Sequence, residues 1–67
     1  MTYELTVPNT KHNRDIVRSL LDNFVSIDVE YGFDPLLVIG TIKLMTESIA
    51  TWNVIVAAFE ETQEVKS

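Results

Sequence analysis

The sequence predicts an all-α fold, an antiparallel helical hairpin with a short extended N-terminal arm that pairs with a second copy into a four-helix-bundle homodimer. Three observations predict it. Apolar residues recur at alternating gaps of three and four over two long stretches, a Gly-Phe-Asp-Pro run separates those stretches, and the 67 residues include no cysteine to staple so small a chain. One domain of this size buries only about 60% of the surface its unfolded chain exposes, so self-association is the expected supplement.

Residues 2–7 alternate, with Tyr3, Leu5 and Val7 on one side and Thr2, Glu4 and Thr6 on the other, before Pro8 ends the run. This gives a short strand or extended arm over 1–9. Asn9, Thr10 and Asn13 are all N-cap residue types, and Val17, Leu20, Phe24, Ile27 and Tyr31 then recur at helical spacing. A first helix over about 11–31 follows. With Ile16 and Leu21 its apolar arc spans about 140°, and Asp15, Ser19, Asp22, Ser26 and Glu30 fall opposite.

Gly32 suits the position just past a helix, and Asp34-Pro35 suits a cap followed by the first helical residue, which leaves a turn over 32–34. The second helix is expected over about 35–62. Its seam is Val38, Ile42, Met45, Ile49, Trp52, Val56 and Phe59, and Leu37, Leu44, Ile55 and Ala58 widen the arc to about 160°. One neighbouring helix does not cover that width. The expected partner interface is therefore Leu37, Val38, Ile42, Leu44, Met45, Ile49, Trp52, Ile55, Val56 and Phe59. In mid-seam, Ile49→Asp is expected to abolish folding and association, because a buried unpaired charge costs several kcal/mol. Leu36, Ile39 and Val54 project from the other side as a second interface. The alternative is a small β-α-α-β domain in which the β-branched run Trp52-Asn-Val-Ile-Val56 pairs with Tyr3–Val7.

Ten acidic residues against five basic ones give a formal charge of −5, which disfavours direct nucleic-acid binding. Lys11, His12, Arg14 and Arg18 crowd the start of the first helix, and Glu60, Glu61 and Glu64 the end of the second. Each group opposes its own helix dipole, but an antiparallel hairpin brings the two groups together. Exposed pairs of this kind contribute at most about 1 kcal/mol each and specify orientation.

No chemistry survives inspection. A calcium loop begun at Asp28 needs glycine at its sixth position and glutamate at its twelfth, and the sequence has Phe33 and Ile39 there. His12 has no nucleophile at a recognisable spacing, and Gly32 and Gly40 are isolated, so no phosphate-cradling loop forms. A metal site, a cofactor and enzymatic activity are all unexpected. The apolar stretch 36–59 carries Lys43 and Glu47, each costing about 3 kcal/mol in a bilayer, so no membrane association is expected. The N-terminus has no secretory signal and the chain no cysteine, which points to the cytoplasm. The expected function is a non-enzymatic protein–protein interaction module that self-associates through its second helix. The alternative is a small acidic inhibitor or regulator of a basic site on a larger protein, such as a nucleic-acid-binding one.

Overall fold

In the middle third of the chain, a two-residue period competes with the helical one and wins. Ile27, Val29, Tyr31 and Phe33 alternate with Asp28, Glu30, Gly32 and Asp34, and Ile42, Leu44 and Thr46 alternate with Thr41, Lys43 and Met45. In the structure, a computed structural model, these runs are strands. The elements are β1 (Tyr3–Pro8), α1 (Lys11–Asn23), β2 (Asp28–Asp34), β3 (Ile39–Thr46) and α2 (Ile49–Gln63). Residues 1–63 are described, with side chains through Glu60.

β3 is the central strand of a three-stranded sheet of order β1-β3-β2, antiparallel to both neighbours. Leu44 sits opposite Leu5 on one side and Val29 on the other, and Ile42 opposite Val7 and Tyr31. Residues directly opposite share a face, so this register puts Leu5, Val7, Val29, Ile42 and Leu44 on one side of the sheet. Val17 and Leu20 of α1 and Ile55 and Phe59 of α2 join Val7, Ile27, Ile42 and Leu44 in one core, so both helices lie on that side. The other face is polar, with Glu4, Thr6, Asp28, Glu30, Asp34, Thr41 and Lys43.

The all-α hairpin and four-helix bundle are thus corrected to a small α+β fold. The helix expected over 11–31 stops at Asn23, where Phe24 turns to extended backbone at φ −135°, ψ 124° while its N–H still bonds the Leu20 carbonyl at 2.9 Å. The helix expected over 35–62 holds from Ile49 onward; before that, Gly40 and two threonines favour β3. The β-α-α-β alternative is corrected too. Residues 52–56 are helical, and the strand that pairs with β1 is β3. Ile49 opens α2 half-exposed rather than in mid-seam.

Local hydrogen bonds fix the boundaries. Thr10 caps α1, its Oγ1 accepting from the Asn13 N–H at 3.1 Å, and Asn13 Nδ2 donates back to the Pro8 carbonyl at 2.9 Å. Ser48 caps α2 in the same way, accepting from the Thr51 N–H at 3.2 Å. The Thr51 hydroxyl meets Ser26 Oγ at 3.1 Å and so ties the segment between α1 and β2 to α2. Tyr3 stacks on Trp52 with ring centroids 5.6 Å apart, which fastens β1 beneath α2.

The β2–β3 hairpin closes through Pro35, Leu36, Leu37 and Val38. Asp34, expected to cap a helix, makes the same kind of bond in a tight turn: its Oδ1 accepts from the N–H groups of Leu36 at 2.9 Å and Leu37 at 3.4 Å. Val38 then takes the left-handed conformation at φ 56°, which costs a β-branched residue about 1–2 kcal/mol. Because its side chain is exposed, Val38→Asn is expected to stabilise the domain by about 1 kcal/mol, raising Tm by roughly 4–8 °C in a thermal melt followed by circular dichroism.

Candidate partner-binding surface

The hairpin that β3 needs in order to pair with β2 carries its apolar residues beyond the reach of the helices. Leu36 is 91% exposed, Leu37 65% and Val38 72%, side by side at one end of the molecule. Below them on β2, Phe33 and Tyr31 stand on the helix-covered side of the sheet yet are 61% and 63% exposed. The result is an apolar strip from mid-β2 to the hairpin tip.

Beside this strip runs a groove of about 610 Å³ lined by Lys11, Arg14, Asp15, Val17, Arg18, Leu21 and Asp22 of α1 and by Tyr31. Its cations differ in how far they are occupied. Lys11 Nζ donates to Asp15 Oδ2 at 3.1 Å, and Arg14 donates to Asn9 Oδ1 at 2.8 Å. Arg18 has no hydrogen bond or ion pair among the described residues. The Lys11 hydrogen bond and charge hold the Asp15 carboxyl below its ordinary range, with Arg18 and Arg14 adding smaller pulls. What the Lys11–Asp15 pair adds to stability is accordingly present above the unfolded carboxyl pKa and is lost as pH falls through the lowered folded one.

The ten residues expected to form one interface are dispersed. Ile42, Leu44, Ile55 and Phe59 are buried in the domain's own core, and Trp52 is half-buried against Tyr3. Val56 is half-buried on α2, Met45 half-buried on the polar face of the sheet, and Ile49 exposed. On the surface, only Leu37 and Val38 come together, at the hairpin tip, flanked by Leu36 and Ile39. Tyr31, expected on the buried face of the first helix, and Phe33, expected in the turn, were missed as members of this surface; the alternation over 27–33 is the signal that sets them on one side of a strand.

Of the acidic end of α2 expected to meet the basic start of α1, only Glu60 falls among the described side chains. Lys11 pairs within its own helix, Glu60 is exposed without an ion pair among the described residues, and Glu61 and Glu64 lie outside the described side chains. His12 is exposed in the first turn of α1. Among the described residues no group of His, Cys, Asp and Glu could hold a metal ion, and no helix is long and apolar enough to cross a membrane. No known protein family, no curated protein and no solved structure matches the chain.

Proposed function

We propose that this protein is a non-enzymatic protein–protein interaction module that docks through the tip of its β2–β3 hairpin. One observation carries the reading: Val38 holds a left-handed backbone with its side chain in water, beside exposed Leu36 and Leu37. Folding alone is served better there by asparagine or glycine, and exposed aliphatics contribute nothing to the core. Residues that lower stability without a folding benefit mark a surface kept for a partner. A cysteine-free chain suits a reducing compartment, and the cytoplasm is the proposed location.

A photo-reactive benzoylphenylalanine at Leu37, irradiated in extract of the native cells, tests the reading. A discrete protein adduct is expected, competed by excess unlabelled protein but not by the Leu36→Ser/Leu37→Ser variant. Val38→Asn, which melts higher, is expected to compete less well, so failure to fold is not the explanation. Adducts no stronger than those from a probe at exposed Asn53 on α2 overturn it.

The acidic inhibitor remains a second reading, favoured by the uncovered sheet face, where Glu4, Asp28, Glu30 and Asp34 surround the single cation Lys43. Glu30 approaches Lys43 at 3.7 Å, Asp34 is held by the N–H groups of the turn, and Glu4 and Asp28 are exposed without an ion pair among the described residues.

A further inference from the structure

We propose that an extended segment of a partner protein adds to the free edge of β2 as a fourth strand, with acidic side chains towards α1 and basic ones towards the open face of the sheet. The inference rests on the reading of this chain as an interaction module, but it uses the β2 end of the apolar strip, Tyr31 and Phe33 with the strand edge, and not Leu36 to Val38 at the tip. β2 is seven residues long and pairs only with β3 among the described residues, so its other edge offers a row of backbone donors and acceptors. The opposite edge is less inviting: β1 ends in Pro8, and its Tyr3 is already stacked on Trp52.

The side chains of β2 choose between possible strands. On the helix side, Tyr31 and Phe33 are uncovered, and the groove that Tyr31 lines holds three cations, Lys11, Arg14 and Arg18, against two carboxylates, Asp15 and Asp22. Arg18 is the cation there with no hydrogen bond or ion pair among the described residues. An incoming strand covers both rings and presents every second residue to that groove, where an acidic residue meets Arg18. Its remaining residues fall beside Asp28, Glu30 and Asp34, where basic side chains fit. The complementary segment therefore alternates acidic and basic residues.

A second copy of this chain fits less well. Two β2 edges paired antiparallel about Tyr31 place Asp28 of one copy opposite Asp34 of the other, acid against acid. The same carboxylates that keep the edge from self-pairing select a basic-faced strand.

The test titrates the isotope-labelled protein with acetyl-(Glu-Lys)3-Glu-amide and follows amide shifts and hydrogen exchange by nuclear magnetic resonance. Shifts and protection are expected along β2, from Val29 to Phe33. A control peptide of the same composition in two blocks, four glutamates then three lysines, is expected to bind at least about tenfold more weakly, as is the alternating peptide to Arg18→Glu. Shifts confined to α1, equal binding of the block peptide, or β2 protection that rises with protein concentration alone overturn the proposal, the last in favour of a second copy. The Leu36→Ser/Leu37→Ser variant is expected to bind the peptide like the parent protein. Loss of the Leu37 adduct with peptide binding intact overturns the tip reading alone, and the converse overturns strand addition alone.

Discussion

Ile55→Asp is expected to leave the domain unfolded at 25 °C, whereas Ile49→Asp leaves it folded with stability changed by less than about 0.5 kcal/mol. The two isoleucines lie on the same helix and are chemically identical. Ile55 is 0% exposed and packs among Leu44, Phe59 and their neighbours, so an aspartate there loses the apolar burial and strands a carboxylate with no partner. That penalty is several kcal/mol, and a single core of this size supplies only about 3–5. Ile49 is 54% exposed and is the first residue of α2, where a carboxylate meets the positive end of the helix dipole and offsets what little burial is lost. Far-UV circular dichroism of both variants, followed by urea titration of whichever folds, decides the matter. If Ile49→Asp unfolds while Ile55→Asp folds, α2 is rotated about its axis relative to this structure.

The parts of the fold legible in the sequence are those decided by local period. Tyr3, Leu5 and Val7 alternate and form β1; Ile16, Val17 and Leu20 share one face of α1; Trp52, Ile55 and Phe59 keep helical phase in α2. Residues 24–46 were not legible in this way, because Phe24, Ile27 and Tyr31 satisfy a helical gap while Ile27, Val29 and Tyr31 satisfy a strand. The choice is made by β3, which pairs with a strand far before it and one just before it, a non-local gain that no short window contains. Asp34-Pro35 is ambiguous at the level of a single bond, since an aspartate that accepts N–H groups two and three residues on serves a turn as well as a helix cap.

The candidate surface was hidden for a related reason. Read on a helix, Leu37 and Val38 belong with Ile42 and Leu44; read on a hairpin, they are separated from them by the end of the sheet. Tyr31 passes from core to surface because α1 stops eight residues before it. Nothing local signals the left-handed backbone of Val38, since β-branched residues are the ones least suited to it. Arg18 and its neighbours were visible as a basic patch, but their place beside a free strand edge depends on the sheet order.

Leu44→Ala is expected to cost about 2–5 kcal/mol and to leave the chain largely unfolded in dilute urea, while Met45→Ala, one residue on, costs less than about 1. Both residues fall on the apolar arc if 35–62 is a helix, and they face opposite ways on a strand. Leu44 is 0% exposed at the centre of the sheet, opposite Leu5 and Val29, so truncation opens a cavity that the paired backbones on both sides prevent from collapsing. Met45 lies on the face no helix covers, opposite Glu4 and Asp28, where a shorter side chain exchanges partial contact for water. Urea midpoints for the two variants at equal slope measure the difference directly. A large gap between adjacent residues is the signature of a two-residue period, because on a helix neighbours 100° apart on one broad arc share their burial. Comparable losses at both positions return β3 to a helix and remove the hairpin on which the docking tip and the free β2 edge depend.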